Sequence, residues 1–562
     1  MRTYFLDIPY EQRGIRLTGV SWDTALRKNL YKGDSLPEEL EPYHSRDFSW
    51  LRWQEDTYNK AILPVTPVPY TMTPRPHQKE AAIAIAKAAK AGWRGFVEGD
   101  GTGIGKTISS AFGIYGAMRT SGVKKANVLV VCPKGAIDHW ANTFKALKIP
   151  NIRLCIINYE QSKNLLNVPK SATTAKKQKT VNRHTATKGT PIIKWDYIIS
   201  DESQKLKNWE TAQQAKAFGN IARYSAATDW PFVIWASATI GQTPLELRYL
   251  APILYQVTKT PHSTPWKTWL LKHGFHIIEA KKSGNLSWVA PNSKSTPAEI
   301  AQIASERKAD LAKLNKMLFS SVSPSIRRTP VDIAGWPEIQ RIAKGFSLTP
   351  MEYLEYQREW LRFRAEYRLA VRGKNPAGAL AQQLRFRQKS SLIRTPHTVE
   401  EIVDLLDNNL QVAVFCEFME SIDKMKEALE KKNIPCAVYT GANSGTRESE
   451  RIKFQKGKAK VIFFSVDSAI SLHAGEQLPD GSFASKAGRA TILHDVTYSG
   501  IKCSQVEGRT HRDGQFAPVY YLYALNTAEE KIANTMIGRV RNILSIMDDE
   551  SLAQKLDELL LG

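Results

Sequence analysis

The sequence is poor in cysteine and lacks the patterns that accompany secretion, membrane insertion or bound zinc. Five cysteines occur in 562 residues. They are an odd number with no C-x-x-C pair, so neither a disulfide framework nor a zinc ribbon is indicated. No run of about 18 apolar residues is present, and Asp7 lies where a signal peptide would have its apolar segment. We therefore expect a cytoplasmic protein that has no membrane segment and is not secreted by that route.

Acidic residues are scarce relative to basic ones. The chain has 78 Lys and Arg against 55 Asp and Glu, which gives a formal net charge of +23. Such a field favours a polyanionic partner such as nucleic acid, although charge alone identifies none. The hydrophobic fraction of 42% is ordinary for a globular protein. At roughly 150 residues per domain, the length predicts three or four domains.

The order of apolar runs divides the chain into five segments. Residues 1–68 hold short alternating pieces and aromatic residues, which predict a small β-rich accessory domain closed by prolines. In residues 71–256, apolar β-branched runs alternate with helical patterns, which is typical of a parallel sheet covered on both faces. Residues 257–390 are predicted to be a helical insertion, 391–545 a second lobe of the same kind, and 546–562 a helical tail. The predicted fold class is α/β, with two parallel-sheet lobes.

Individual elements are predicted from the same runs. The predicted strands are 95–97, 128–132, 153–157, 197–199, 232–235, 412–416, 436–439, 460–464, 491–493 and 519–523, and the clearest helices are 108–119, 298–318 and 351–371.

Residues 100–107, with the sequence D-G-T-G-I-G-K-T, predict a phosphate-binding loop. The segment follows a short predicted strand and opens a helix, which is the context that such a loop requires. Gly103 and Gly105 would let backbone N–H groups converge on phosphate oxygens. Lys106 would meet the β- and γ-phosphates, and Thr107 would offer its hydroxyl to Mg²⁺. A glycine turn with a solvated lysine fits this context less well.

The acidic pair Asp201 and Glu202 follows the predicted strand 197–199. Ligands of open α/β sheets bind at that end of the strands. Asp201 would hold Mg²⁺ through water, and Glu202 would polarise the attacking water. An isolated Asp-Glu pair is more often a solvated turn. Its position downstream of a phosphate loop in the same lobe makes it a Walker B candidate.

Taken in order, these segments resemble the motifs of the SWI/SNF-type branch of superfamily 2 helicases and translocases. Residues 100–107 are similar to the family's D-E-M-G-L-G-K-T, and Gln78 in R-P-H-Q looks like the adenine-reading glutamine of the Q motif. Residues 201–204 resemble motif II, 237–239 motif III, and 505–515, Q-V-E-G-R-T-H-R-D-G-Q, motif VI. The resemblance covers about residues 71–545. It implies two RecA-like lobes that bind ATP between them and move along DNA.

The sequence also departs from the family pattern at several positions. Gln204 takes the place of the usual histidine of motif II, Ser468-Ala469 replaces the glycine pair of motif V, and Tyr498-Ser-Gly500 replaces W-N-P. Short two-lobe versions of this kind resemble phage or prophage enzymes, which would place the protein in the cytoplasm of a bacterial host.

Arg509 and Arg512 are the candidate arginine fingers that the resemblance implies. They are three residues apart, so they would share one face if motif VI were helical. A guanidinium keeps its charge and its planar fork matches phosphate oxygens. His511, between them, is interpreted as a structural hydrogen-bonding residue and not as an acid–base catalyst.

Two basic stretches lie outside these motifs. Residues 170–188 are rich in Lys, Thr and Ala and are interpreted as a flexible loop, either functional or merely solvated. Residues 357–389 are strongly basic. Their first helix carries candidate phosphate contacts at Arg358, Arg362, Arg364 and Arg368.

These features together predict a monomeric, ATP- and Mg²⁺-dependent DNA translocase or helicase. The DNA would be duplex or branched, with single-stranded DNA also possible. Two alternatives stay open at this point: an RNA-directed helicase, and a nucleic-acid-binding subunit whose ATPase is weak or idle. No nuclease motif is recognisable, so movement on DNA without cleavage is expected.

Overall fold

The computed structural model divides into two compact units. The first contains the described residues of Met1–Pro67, Thr71–Asp100 and Lys106–Arg327, and the second contains Gly101–Gly105 and the described residues from Arg328 onward. The described residues are 2–6, 8, 18–23, 28–33, 35–43, 55–56, 72–101, 103–167, 190–191, 193–209, 212–224, 226, 228–238, 240–241, 243–279, 286–290, 295–328, 332–373, 375–443, 445–465, 470–478, 480–496, 500–512, 514–530 and 532–533. The predicted loop 170–188 and the tail 546–562 lie outside them.

The N-terminal part of the first unit contains a small antiparallel sheet. Its strands are β1 (Arg2–Leu6), β2 (Val20–Asp23) and β3 (Lys28–Gly33), in the order β1-β3-β2. Leu6, Ile8 and Leu40 are buried beneath it, with Tyr31 packed against them. The short alternating pieces of the sequence therefore form strands that each bury one face.

The larger sheet of the first unit has seven strands in the order β14-β5-β11-β10-β6-β7-β4, and all neighbours are parallel except β4 and β7. These strands are β4 (Glu55–Asp56), β5 (Gly95–Glu98), β6 (Ala126–Cys132), β7 (Ile152–Asn158), β10 (Tyr197–Asp201), β11 (Phe232–Ala236) and β14 (Ser325–Ile326), while β8 (Leu166–Asn167) and β9 (Thr190–Pro191) form a separate pair. The accompanying helices are α1 (Pro76–Lys90), α2 (Lys106–Thr120), α3 (Ile137–Leu147), α4 (Gln213–Ile221), α5 (Ala251–Val257), α6 (Trp266–Lys272) and α7 (Pro297–Phe319).

The second unit has a six-stranded parallel sheet in the order β15-β20-β19-β16-β18-β17. Its strands are β15 (Arg341–Phe346), β16 (Gln411–Phe415), β17 (Cys436–Tyr439), β18 (Val461–Phe464), β19 (Arg489–Leu493) and β20 (Val519–Ala524). Its helices are α8 (Pro350–Arg372), α9 (Pro376–Asp407), α10 (Met419–Glu430), α11 (Arg447–Gln455) and α12 (Gly500–Glu507). None of the helices within the described ranges is long and apolar enough to cross a bilayer.

The predicted α/β class with two parallel-sheet lobes is confirmed. The central strands are buried on both faces, which is why their sequences read as continuous apolar runs rather than alternating ones. The predicted strand 153–157, for example, is β7 with one further residue at each end.

The segment 257–390, predicted to be helical, also contains strands. The strands β12 (Ile277–Glu279) and β13 (Leu286–Trp288) form a hairpin, β14 joins the first sheet and β15 the second. The two that join the sheets lack a strand signal because they are sheet-edge strands. β14 has two residues, and the R-I-A-K-G-F of β15 is half-buried to exposed and buries no apolar row.

The helices α8 and α9 form a hairpin whose turn lies between Arg372 and Pro376. The first helix begins with a capping box in which Glu352 N donates to Thr349 Oγ1 at 3.4 Å and Thr349 N donates to Glu352 Oε2 at 2.8 Å. Tyr356 and Phe363 are buried at the interface with Phe386 of α9. One face of α8 is thus fixed in the core, and the opposite face is left to solvent.

Candidate functional site

The glycine-rich loop between β5 and α2 has the backbone conformation that a phosphate loop needs. Gly103 and Gly105 have φ values of +87° and +102°, which residues with a Cβ rarely adopt. The helix α2 begins at Lys106, so the N-terminal N–H groups of that helix border the loop. Lys106 Nζ donates to the carbonyl oxygen of Asp100 at 2.8 Å, and Thr107 is half-buried at the second helical position.

Asp201 is the last residue of β10, and its carboxylate has two fixed donors. Trp140 Nε1 donates to Oδ2 at 2.8 Å, and the backbone N–H of Glu202 donates to Oδ1 at 3.1 Å. Burial and the charge of Glu202 raise the pKa of Asp201 to about 6, while the Trp140 hydrogen bond and the charge of Lys106 lower it. The electrostatic influence of Lys106 therefore reaches Asp201, although β5, which precedes the Lys106 loop, is separated from β10 by β11 in the sheet.

Gln204 links Glu202 to Ser237. Its Nε2 donates to Glu202 Oε2 at 2.6 Å, and its Oε1 accepts a hydrogen bond from Ser237 Oγ at 2.6 Å. Glu202 has φ +52°, a left-handed conformation that turns the chain immediately after β10. Sequence reasoning noted Gln204 only as a departure from the family pattern and missed this bridge, because its two partners come from different segments.

Gln78 occupies the third position of α1. Its side chain is buried, and its Oε1 accepts a hydrogen bond from the backbone N–H of Arg75 at 2.9 Å, as in a capping box. The local reason for a glutamine here is therefore helix capping, and adenine recognition by Gln78 stays a prediction.

Glu98 is a buried carboxyl beside the loop that sequence reasoning missed. It ends β5, and the hydroxyls of Ser109 and Ser110 from α2 contact its two oxygens. Burial, with a further contribution from the charge of Asp100, raises the pKa of Glu98 to about 8. A glutamate at the end of the apolar piece F-V-E gave no sequence signal that it would face inward.

Motif VI is not helical where its arginines lie, which corrects the expectation of a shared helical face. The helix α12 ends at Glu507, and both arginines follow it. Arg509 is buried, and its carbonyl oxygen accepts a hydrogen bond from Leu472 N at 2.8 Å. The side-chain directions of Arg509 and Arg512 are therefore set by loop contacts and not by an i, i+3 helix register.

Two neighbours of these arginines hold the loop in place. His511 Nδ1 accepts from the backbone N–H of Ala517 at 3.2 Å, and its Nε2 lies 2.8 Å from the carbonyl oxygen of Pro337. Burial lowers the pKa of His511, so the neutral ring fits its surroundings. The structural interpretation of His511 agrees with these contacts. Glu507, fully buried, pairs with Arg341 Nε at 2.7 Å.

Within the second unit, motif VI closely approaches the glycine-rich loop. A Cβ added to Gly103 would lie 3.4 Å from Cγ of Arg512 and 3.5 Å from the carbonyl oxygen of His511. A side chain at position 103 would therefore crowd Arg512, in addition to the strain from the positive φ.

The four arginines predicted to contact DNA do not lie in equivalent positions on α8. Arg358, Arg362 and Arg368 are exposed on the side opposite Tyr356, whereas Arg364 is half-buried. Arg362 Nε lies 2.9 Å from Glu366 Oε1, an exposed pair that adds little stability.

A buried group in the second unit combines residue types that often bind metals. Ligand atoms of Cys416, His494 and Asp495 lie within 4.8 Å of one another. The His494 ring is hydrogen-bonded to Thr398 Oγ1 at 2.8 Å, and Arg394 Nη2 lies 3.1 Å from Asp495 Oδ1. Burial lowers the pKa of His494 to about 4. These contacts explain the group as an internal polar network that joins α9 to the sheet.

Comparisons with known proteins find sequence similarity over part of the chain. The model of the SNF2-related domain matches residues 19–224, a range that includes Lys106, Asp201 and Glu202 and stops before Ser237. An uncharacterised ATP-dependent helicase of Mycoplasma genitalium is 28% identical over 135 residues, 23% of this chain and 12% of that protein. One from Mycoplasma pneumoniae is 25% identical over 200 residues, 33% of this chain and 18% of that protein. The matches thus span less than a fifth of either relative.

Two solved structures also align along most of the chain. They are the SWI2/SNF2 ATPase core of Sulfolobus solfataricus in complex with dsDNA and the same protein's ATPase core domain. Their identities are 16% and 17%, they cover 88% and 91% of this chain and 97% of each partner chain, and the TM-scores are 0.31 and 0.32.

Proposed function

We propose that this protein is an SNF2-type ATPase that couples ATP hydrolysis to movement along DNA. The observation that carries the proposal is the placement of the Lys106 loop after β5 and of Asp201 at the end of β10, at the carboxyl ends of strands in one parallel sheet. Ligands of open α/β sheets bind at this edge. The sequence similarity of residues 19–224 to the SNF2-related domain supports ATP as the ligand.

In this proposal, Lys106 and the N-terminus of α2 bind the nucleotide phosphates. Thr107 and Asp201 would hold Mg²⁺, because a hydroxyl and a carboxylate are the oxygen donors that this ion prefers. When bound, Mg²⁺ would neutralise charge on the phosphate oxygens. Glu202 would orient the attacking water, and its hydrogen bond from Gln204 keeps its carboxylate in one direction.

Arg509 and Arg512 are proposed to stabilise the charge that develops on the transferred phosphoryl group. The close approach of Arg512 to Gly103 supports this role for Arg512. An always-charged, planar guanidinium suits a phosphate that changes geometry during the reaction.

DNA is the proposed track because of the excess of basic residues. The net charge of +23 and the exposed arginines of α8 would neutralise backbone phosphates without reading sequence.

The test is an ATPase assay with duplex DNA, single-stranded DNA and RNA in parallel. Lys106→Ala should abolish hydrolysis and leave DNA binding unchanged, and Glu202→Gln should bind ATP without hydrolysing it. Lys124→Ala and Glu160→Gln, which change exposed residues of the same unit, are the controls. Wild-type turnover by Glu202→Gln would reject its assignment, stimulation by RNA alone would reject DNA as the track, and no hydrolysis with any nucleic acid would reject the enzyme.

A further inference from the structure

The solvent-facing side of α8 carries apolar residues that the core does not cover. Met351, Leu354, Leu361 and Leu369 are 76%, 64%, 63% and 69% exposed. We define the leucine–arginine face as these four residues with the exposed arginines on the same side of the helix, namely Arg358, Arg362, Arg368 and Arg372. The combination of a large apolar area and several positive charges on one helix face is typical of a docking surface.

The positions of the leucines show that they form a row. Leu354, Leu361 and Leu369 are separated by seven and eight residues, about two helical turns each, so they lie along one line on α8. Tyr356 and Phe363 point to the opposite side, into the core. Phosphates of DNA would account for the arginines of this face, but an apolar row gains nothing from phosphates. The exposed leucines would be removed from water only by an apolar partner.

The C-terminal segment of this chain has the complementary chemistry. Leu552, Leu556 and Leu559 are spaced four and three residues apart, which predicts an apolar stripe on a helix. The same segment, residues 546–562, carries five acids and one lysine in a chain of net charge +23; the acids are Asp548, Asp549, Glu550, Asp557 and Glu558. The leucine stripe of this segment is therefore suited to pack against the leucines of the leucine–arginine face, and its acids are suited to pair with the arginines of that face.

The described chain ends against the core-facing side of α8, opposite the leucine–arginine face. Ala528 N donates to Tyr356 Oη of α8 at 3.1 Å, and Glu529 Oε2 lies 2.9 Å from Arg394 Nε of α9. Ile532 belongs to the same apolar cluster as Phe363. The following residues, 534–562, would span about 40 Å even if wholly helical, compared with about 35 Å for the 23 residues of α8. The segment can therefore reach the leucine–arginine face of its own molecule.

We propose that residues 546–562 dock on the leucine–arginine face of α8 and cover it when DNA is not bound. The leucine rows pack together, and the acids pair with the arginines of the face. Because the segment is tethered, its effective concentration at the face is on the order of millimolar, so a weak contact is sufficient. Competition with DNA for the same arginines rests on the proposed function, whereas the docking itself does not.

Disulfide cross-linking of the full-length chain tests the docking without DNA or ATP. A Cys436→Ser background is used, because the other four cysteines are buried. Ala365→Cys, in the middle of the face, is combined with Ala553→Cys, and the control pairs Lys486→Cys, an exposed position elsewhere in the second unit, with the same Ala553→Cys. The first pair should form an intramolecular disulfide about 10-fold faster or more, because docking raises the local concentration. Equal rates, or a disulfide that joins two molecules, would overturn the proposal.

A charge exchange tests the pairing and controls for folding. Arg358→Glu with Arg362→Glu should slow the cross-link, and adding Asp548→Lys with Asp549→Lys should restore it, while the thermal midpoint is unchanged throughout. If the charge exchange does not restore the rate of cross-linking, the acids of residues 546–562 do not pair with the arginines of the face. Duplex DNA should slow the cross-link of the original pair. A fast cross-link that DNA does not change would leave the docking standing and contradict DNA binding by this face.

Discussion

Ser237 Oγ donates a hydrogen bond to the side-chain oxygen of Gln204 at 2.6 Å. Gln204 lies in the segment after β10, whereas Ser237 follows β11, and both belong to the first unit. The amide nitrogen of the same Gln204 donates to Glu202. One side chain thus joins the acidic pair after β10 to the loop after β11. Its role requires a donor on one side and an acceptor on the other, and an amide provides both.

Replacement of Gln204 should show this double requirement. Gln204→Ala should lower the kcat of the proposed ATPase on the order of 10-fold, because Glu202 loses its orienting donor. Gln204→His should retain most activity, since one ring nitrogen can donate while the other accepts, but Gln204→Glu should not, because it places a second carboxylate beside Glu202. Steady-state ATPase rates measure this. If Gln204→Ala and Ser237→Ala prove additive in the double variant, the bridge does not act as a unit.

Arg512→Ala should lower kcat by a large factor, on the order of 10³, with a smaller change in ATP affinity, because a finger stabilises charge that develops in the transition state. Arg512→Lys should restore little, since an ammonium cannot reproduce the planar fork. Single-turnover hydrolysis together with nucleotide titration separates the two effects. Near-normal kcat in both Arg512→Ala and Arg509→Ala would exclude motif VI from the reaction.

Neutralising Arg358, Arg362 and Arg368 together should weaken DNA binding for every sequence alike. Each lost phosphate contact should reduce the log–log salt slope by about 0.9 on duplex DNA. Adding Arg364→Gln should change the slope less than any of the other three, because Arg364 is half-buried. Fluorescence anisotropy over a salt series measures both quantities. An unchanged slope in the triple variant would leave this helix face without a role in DNA binding.

Glu98 should make stability depend on pH. Its pKa is about 8 in the folded protein against an ordinary 4.5, so the folded state keeps a proton that the unfolded state releases between those values. The free energy of unfolding should therefore fall as pH rises from about 4.5 to 8, by up to about 1.4 kcal/mol per pH unit. Glu98→Gln should remove this component and unfold at a higher temperature than the wild type at pH 8. Glu160→Gln, an exposed change, should leave the pH profile as it is.

Much of the fold follows from the sequence because its determinants are local. The uninterrupted apolar runs at 128–132 and 461–464 become β6 and β18, since a strand buried on both faces needs an apolar residue at nearly every position. The glycines of residues 100–107 similarly indicate the backbone conformation of the loop, because only glycine readily adopts the positive φ found at Gly103 and Gly105.

Only the tertiary structure determines which strands pair at the sheet edges and which polar side chains from distant segments meet. The edge strands β14 and β15 gain their pairing from neighbours distant in sequence, so their own residues show no strand pattern. The Trp140–Asp201 hydrogen bond likewise depends on two segments meeting at one edge of a sheet. Arg509 and Arg512 would share one face only if motif VI were helical, but α12 ends at Glu507, and the loop after it is held by hydrogen bonds with distant residues such as Leu472. Periodicity reports which side of an element faces the core, whereas the partners of a polar side chain depend on long-range packing that a local pattern does not contain.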